Sequence, residues 1–193
     1  MSGELNPLIT HDTIRTYTGL YVNVFDPKPE MFRIEDIAHA LANQCRFSGH
    51  LPKFYSVAQH CVLASQRVHP DYAYDALMHD SSEAYLLDIP SPIKKHLPNY
   101  KELEDNVMKV LAKVFNFRYP LEQPVKEIDL QMLHWEWEHI MLGRRYVAYY
   151  TYQGSVLEEP GEVWNHKKAE KKFLERYREL MDIRRANDGL CFS

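Results

Sequence analysis

Apolar residues recur at three- and four-residue spacing through most of this 193-residue chain, and this spacing restricts the fold to one built from amphipathic helices. The residues that carry the spacing are Ile34, Ile37, Ala38, Leu41 and Ala42; Val57, Cys61, Ala64 and Val68; Leu103, Val107, Val110, Leu111 and Val114; Val125, Ile128, Met132 and Trp135; and Val163, Trp164, Phe173, Leu174 and Leu180. No repeat or long linker divides these runs. We therefore expect an all-α, single-domain helical bundle over residues 1–193, with its core at 33–142.

Residues with known positional preferences divide the runs into helices. The expected boundaries are an N-cap at Ser56, first turns at Pro70 and Pro124, a start at Asn99, a short helix from Ser81 or Ser82 through Leu87 that IPSP ends, and a charged C-terminal helix over 161–184. Residues 1–30 are irregular. Within them, TYTGLYVNVF is centred on Gly19 and predicts a short β-hairpin.

The charge balance and the N-terminus argue against several classes of protein. A net charge of −4 and a pI near 6.2 disfavour stable nucleic-acid binding, and the basic stretch near Lys167 is interpreted as a solvated helix face. Three cysteines without CxxC spacing predict neither a disulfide framework nor a thiolate zinc site. Without a membrane-length apolar segment or a signal peptide, we expect a soluble cytoplasmic protein with no membrane partner.

The dipeptide His79-Asp80 is the part of the sequence that most favours chemistry. It ends an apolar run that predicts a buried helix, where imidazole and carboxylate groups need partners. A divalent cation is a partner that satisfies both groups. A second copy, His11-Asp12, lies near the terminus without apolar periodicity and is interpreted as part of a solvated segment.

His60 and Asp129 add two candidate ligands on helices whose buried stripes they adjoin. Taken singly, His60 is better explained as a core histidine with satisfied hydrogen bonds, and Asp129 as a helix-surface carboxylate. Together with His79-Asp80 they form a mixed nitrogen and oxygen set. Such a set suits one divalent transition metal ion, Mn²⁺, Co²⁺, Zn²⁺, Fe²⁺ or Ni²⁺.

The order of these residues resembles the H…HD…D signature of the HD-domain metal-dependent phosphohydrolases. The segments SVAQH, HDSSEAYLLDIPSPIK and VKEID are also similar to segments of the bacterial 5′-deoxynucleotidases and phage dATP triphosphohydrolases of that superfamily. The resemblance covers residues 34–142. It implies an all-helical fold, hydrolysis of phosphate esters or anhydrides, and one transition metal ion held by His60, His79, Asp80 and Asp129.

The same resemblance implies roles for residues near the ligands. Glu83 matches the family's acid/base glutamate, although a carboxylate in the first turn of a helix is also favoured by the helix dipole. Asp88 matches the aspartate that contacts the sugar 3′-hydroxyl, with a capping role before IPSP as the alternative. Lys94 follows at the family's distance for a phosphate contact, with an ordinary surface lysine as the alternative.

The loop after the first helix resembles a further part of the deoxynucleotidase site. Arg46 and Phe47 are similar to an Arg-Trp pair in which the arginine holds phosphate and the ring contacts the base. Phenylalanine replaces tryptophan here, so base specificity is left open. His50 and Lys53 add donor capacity beyond what a monophosphate requires, with ordinary loop residues as the alternative.

These assignments predict a metal-dependent phosphohydrolase with a small deoxynucleotide substrate. The extra donors favour a dATP triphosphohydrolase, which releases deoxyadenosine and triphosphate, over a 5′-deoxynucleotidase, which releases phosphate. A third interpretation is a non-catalytic nucleotide sensor with the HD fold, which would not need Glu83 beside an intact ligand set. The aromatic residues of 146–152 would suit a subunit interface, so a homo-oligomer is a further hypothesis.

Overall fold

A computed structural model of the chain describes residues 12–144 and 162–190. Two predictions lie outside the described residues: the environment of His11 and the interface at 146–152. Within the described ranges the chain is helical apart from one two-stranded sheet, which confirms the predicted fold class. No helix in those ranges combines the length and the apolar character needed to cross a bilayer.

The predicted hairpin is confirmed. Strands β1 (Thr13–Arg15) and β2 (Tyr21–Asn23) pair antiparallel. Gly19 has a φ of 92° in the connecting turn, a conformation that glycine adopts without strain. Thr18 donates its backbone N–H and its hydroxyl to the Asp36 carboxylate at 2.6 and 2.8 Å, which ties the hairpin to the first helix.

Eight helices form the bundle in the described ranges, and the second of them lies at its centre. They are α1 (Ile34–Asn43), α2 (Val57–Arg67), α3 (Ala73–Met78), α4 (Glu83–Leu86), α5 (Ser91–Lys94), α6 (Tyr100–Phe115), α7 (Gln123–Glu136) and α8 (His166–Leu190). Short 3₁₀ turns lie at Pro29–Met31, Arg46–Gly49 and Pro70–Tyr72, and a π-helical segment, Trp137–Met141, continues α7. Helix α2 packs against α1, α3, α7 and α8, so a residue on α2 can face several elements at once.

The predicted apolar stripes form the core. Every predicted stripe residue of α7 is buried, whereas in α6 only Val107 and Leu111 are buried among those predicted. Leu103, Val110 and Val114 are partly buried and pack against the core from outside. Helix α6 therefore lies against the bundle at one side.

Helix α6 begins where predicted but without the expected cap, and helix α8 begins later than predicted. Asn99 precedes α6, but it has a left-handed φ of 69° and makes no side-chain cap bond. Helix α8 begins at His166 because the preceding chain bonds elsewhere: the Gln59 side chain accepts the N–H of Trp164 at 2.8 Å. The predicted start at 161 is thus wrong. By contrast, the Ser56 hydroxyl accepts the Gln59 N–H at 3.1 Å and confirms the predicted N-cap.

Candidate functional site

His60 lies near the start of α2, and its side chain is fully buried. Its Nδ1 lies 2.7 Å from Oε1 of Glu136. A carboxylate only accepts, so Nδ1 carries the hydrogen, and in the neutral ring Nε2 presents a lone pair. This arrangement fixes the tautomer that a metal-binding histidine needs.

His79 is oriented in the same way by the backbone. It follows the last residue of α3, and its Nδ1 lies 2.7 Å from the carbonyl oxygen of Ala76. The carbonyl accepts the Nδ1 hydrogen, so the neutral ring again presents Nε2 as a lone pair. The two Nε2 atoms lie 3.2 Å apart.

Two carboxylates complete the cluster. Oδ1 of Asp129 lies 3.2 Å from Nε2 of His60 and 3.6 Å from Nε2 of His79. Oδ2 of Asp80 lies 3.2 Å from Nε2 of His79 and 3.7 Å from Nε2 of His60. Ligand atoms bound at about 2.1 Å to one ion, at right or tetrahedral angles, lie about 3.0 to 3.4 Å apart. The shorter distance of each aspartate falls in this range, and the longer one is slightly above it. The structure thus brings the four predicted ligands into one cluster, in which His60, His79 and Asp129 form a group that can hold a metal ion.

The charges in the cluster also favour a cation. Burial would lower the pKa of His79, but Asp80 and Asp129 raise it well above the usual histidine value. Burial would raise the pKa of the Asp129 carboxyl, but hydrogen bonds from the Nε2 atoms of the two histidines, which exist when the rings are protonated, hold it well below its usual range. The two carboxylates therefore stabilise positive charge at the point between the rings. A divalent ion bound there would be stabilised by the same interaction.

Glu136 orients one ligand of this cluster and was not among the residues predicted from the sequence. It is fully buried, accepts the Arg46 Nε–H at Oε2 over 2.9 Å, and holds His60 at Oε1. Burial would raise the pKa of Glu136, but Arg46 and His60 lower it. Glu136 lies seven residues after Asp129 and four after Met132, so helical spacing alone could have placed it on the inward face of α7.

Cys61 lies against the cluster as well as in the core. It is buried, as predicted for a small core residue, and its Sγ lies 4.0 Å from Oδ2 of Asp80. With His79 and Asp80 it forms a second group whose donor atoms lie close enough to share an ion. Burial raises the pKa of the Cys61 thiol to about 12, so at neutral pH the sulfur carries its proton.

A cavity of about 870 Å³ opens above Asp80 and Asp129. The five residues to which the resemblance assigns catalysis or substrate binding line it: Arg46, Phe47, Glu83, Asp88 and Lys94. His50, expected as an additional donor from the loop, lines it as well. Lys53 is absent from the described lining, so the structure gives no support for its expected role. His60 and His79 lie beneath the floor, which leaves the two aspartates as the ligands that face the cavity.

Glu83 is nearly buried in the cavity wall. Its Oε1 lies 3.8 Å from Nζ of Lys94, and its Oε2 has no hydrogen-bond partner among the described residues. Burial, and then the charges of Asp80 and Asp88, raise the pKa of the Glu83 carboxyl well above its usual range. A protonated carboxyl facing a cavity is suited to donate a proton.

The two permanent cations that line the cavity are already paired. Nζ of Lys94 lies 2.8 Å from Oε1 of Glu104. Arg46 is buried; besides its bond to Glu136, its Nη1 lies 3.7 Å from Oδ2 of Asp80. Arg46 therefore stabilises the ligand cluster in addition to lining the cavity.

One wall of the cavity is aromatic, and only Phe47 of this wall was predicted from the sequence. The ring centroids of Phe47 and Trp137 lie 6.2 Å apart, and Leu133 and Met141 line the cavity beside them. Trp137 opens the π-helical segment after α7 and is 46% exposed. The apolar stripe predicted for α7 ends at Trp135, because α-helical spacing gives no sign of a π-helical continuation.

Comparison with known proteins finds uncharacterized relatives. No family model matches the chain. Over 120 residues, 62% of this chain, it is 45% identical to the uncharacterized protein YfdR of Escherichia coli (strain K12) and covers 67% of that protein. Over 122 residues, 58% of this chain, it is 33% identical to an uncharacterized protein of Rhodobacter capsulatus and covers 62% of it. The identity and coverage with YfdR show that the chain belongs to the same protein family as YfdR.

Proposed function

We propose that this protein is a metal-dependent phosphohydrolase of the HD type that hydrolyses deoxynucleotides. The proposal depends chiefly on one observation: four donor atoms of His60, His79, Asp80 and Asp129 converge at the floor of a cavity into which Glu83 also faces. A purely structural cluster would not need an open cavity above it. The arrangement of Glu136 behind His60 is typical of residues that orient metal ligands.

The chemistry divides between the ion and the protein. A divalent transition ion held by this set would lower the pKa of a water molecule and polarise a phosphoryl oxygen. Glu83, protonated in its buried setting, donates a proton to the leaving oxygen. Lys94 and the outer edge of Arg46 neutralise charge that develops on the phosphoryl group.

The lining of the cavity supports a nucleotide substrate. Phe47 and Trp137 offer aromatic faces for a base, and stacking on such rings tolerates any base. Asp88 lines the same cavity as this wall and Lys94, so it can accept a hydrogen bond from a sugar hydroxyl. An acceptor close to the sugar leaves little room for a 2′-hydroxyl, and this favours deoxynucleotides.

For the phosphate chain, we propose hydrolysis of dATP to deoxyadenosine and triphosphate. The volume of about 870 Å³ suits a nucleoside triphosphate, and His50 lines the cavity as an additional donor.

A specific observation favours a second candidate, the 5′-deoxynucleotidase. Arg46 and Lys94 are the only lysine or arginine residues in the described lining, and both already contact carboxylates. Two paired cations suit a monophosphate better than a triphosphate.

The test is to incubate the purified protein, loaded with Mn²⁺ or Co²⁺, with dATP and dAMP separately and to identify the inorganic product by ³¹P NMR. Triphosphate from dATP supports the first candidate, and phosphate from dAMP supports the second. His79→Ala is the negative control, since it removes a ligand. If the wild-type protein binds nucleotide and hydrolyses neither compound, the enzyme proposal fails and the sensor interpretation gains support.

A further inference from the structure

The turn that joins α4 to Asp88 has an unusual backbone. Leu87 has a φ of 69° and a ψ of 152°, a region that is almost confined to glycine. Its side chain is 62% exposed, so burial of the leucine does not explain the conformation. Such a conformation persists only when the surrounding structure holds it in place.

The side chain of Gln44 holds one side of this turn. Its Nε2 donates to the carbonyl oxygen of Glu83 at 2.8 Å, and its Oε1 accepts the N–H of Asp88 at 3.1 Å. One carboxamide thus bridges the backbone of the predicted acid and the backbone of the predicted sugar contact. Gln44 does not line the cavity in the described structure, so a direct contact with substrate does not account for it.

Tyr100 holds the other side. Its hydroxyl lies 3.1 Å from the carbonyl oxygens of both Leu86 and Leu87. The turn is therefore fixed at both ends and in the middle by side chains from α6 and from the end of α1.

Gln44 is itself anchored to the helix that carries His60. Its carbonyl oxygen accepts the N–H of Val57, the first residue of α2, at 3.2 Å. Gln44 thereby connects the backbone of Asp88 to the helix that carries the metal ligand His60.

We propose that Gln44 is a positioning residue that holds the strained turn at Leu87 and, through it, sets the discrimination between deoxyribose and ribose by Asp88. This inference depends on the proposed function, because it assigns to the turn the sugar specificity of the same site. The bridge fixes the separation of the Glu83 and Asp88 backbone groups from which the two side chains project. Sugar selection needs these side chains to be placed to within a fraction of an ångström.

The first measurement needs no activity. In Gln44→Met, which keeps the size of the side chain and removes both hydrogen bonds, amide hydrogen exchange in the peptide covering 84–89 should become at least about tenfold faster. The matched control is Asn43→Leu, since the Asn43 side chain bonds only the end of its own helix, at the carbonyl of His39. Unchanged exchange in Gln44→Met would show that no such bridge holds the turn.

The strain is tested separately with Leu87→Gly. Glycine accepts this conformation, so the melting temperature should rise by a few degrees while the bridge and the sugar preference are retained. A lower melting temperature would overturn the claim that the turn is strained.

The second measurement compares kcat/KM for a deoxynucleotide and the matching ribonucleotide. Gln44→Met should lower this ratio by about tenfold or more, the scale expected when a placed hydrogen bond is lost, with metal content unchanged. Faster hydrogen exchange with an unchanged kcat/KM ratio would support the bridge but refute its role in sugar selection. If the wild-type protein hydrolyses neither nucleotide, the proposed function fails, and the role of Gln44 in sugar selection fails with it. The hydrogen-exchange measurement still tests whether Gln44 holds the turn.

Discussion

The Nε2 atoms of His60 and His79 face each other across 3.2 Å, and each ring donates its Nδ1 hydrogen to an oxygen of the protein behind it. In the neutral rings the two Nε2 lone pairs at this distance repel one another unless a proton or a metal ion lies between them. The orientation is imposed by Glu136 and by the Ala76 carbonyl, so the site is arranged before any ion binds. A preorganised site spends less binding free energy on ordering its ligands.

The first prediction concerns metal binding. His79→Ala should lower the affinity for Mn²⁺ or Co²⁺ by at least about 100-fold, because it removes one of four converging donors. Isothermal titration and metal analysis after dialysis measure this change. The control is His96→Ala, which removes an exposed histidine away from the cluster and should leave affinity unchanged. Equal affinity in the two variants would contradict the ligand assignment.

The second prediction concerns Glu136. Glu136→Gln keeps the shape of the side chain but weakens its bonds to His60 and Arg46, so metal affinity should fall about 10- to 100-fold. The free energy of unfolding should also fall by about 1 to 3 kcal/mol, because a buried guanidinium loses its charged partner. Titration and urea unfolding provide the two readouts. Glu138→Gln is the matched control, since Glu138 lies two residues after Glu136 and pairs with the exposed Arg144.

The third prediction concerns the aromatic wall. Trp137→Ala should raise KM for the nucleotide about tenfold with little change in kcat, because stacking contributes about 1 to 3 kcal/mol per base and acts away from the phosphate. Leu130→Ala on α7 is the control, since that leucine is exposed and does not line the cavity. A fall in kcat without a change in KM would place Trp137 in the chemistry and argue against a base contact.

The fourth prediction concerns Glu83 and pH in the metal-free protein. Burial and the charges of Asp80 and Asp88 raise its pKa in the folded state, so its contribution to stability is complete below the unfolded pKa of about 4.3 and is lost as the pH rises through the folded pKa. Glu83→Gln does not titrate. It should therefore be more stable than the wild type at pH 8, by about 1 kcal/mol, and the difference should vanish near pH 4.

Urea unfolding at the two pH values measures that difference. Exposed Glu102→Gln is the control and should follow the wild type at both. The loaded Glu83→Gln protein should also lose about 10²- to 10⁴-fold in turnover, as expected for a general acid. A variant that is less stable than the wild type at pH 8 would contradict the buried, protonated state of Glu83.

The sequence predicts the parts of the site that lie on regular helices. His60 and Asp129 adjoin stripes of period 3.6, and the structure places both beside His79-Asp80. Periodicity could also have reached Glu136, which continues the inward face of α7. Burial of a carboxylate, however, depends on the partners that Arg46 and His60 supply from other elements, and no local pattern contains them.

The remaining parts depend on backbone that departs from regular geometry. Leu87 and Phe47 have positive φ values without being glycine, so residue type gives no signal for their turns. Trp137 faces the cavity from a π-helical segment, which shifts the helical spacing beyond Trp135. Gln59 holds the chain before α8 through contacts more than a hundred residues away in the sequence. These features arise from tertiary contacts, which a sequence pattern does not display.

The central position of α2 has a consequence for how the sequence of this protein can evolve. Two ligands of the metal cluster, His60 and Asp129, belong to packed core helices, and His79-Asp80 directly follows the end of α3. The walls of the cavity come from joints: the 3₁₀ turn at Arg46–Gly49, the turn after α4 and the π-helical segment. Joints accept insertions and replacements that a packed helix does not. Relatives can therefore diverge in the molecules they accept while inheriting an unaltered metal floor.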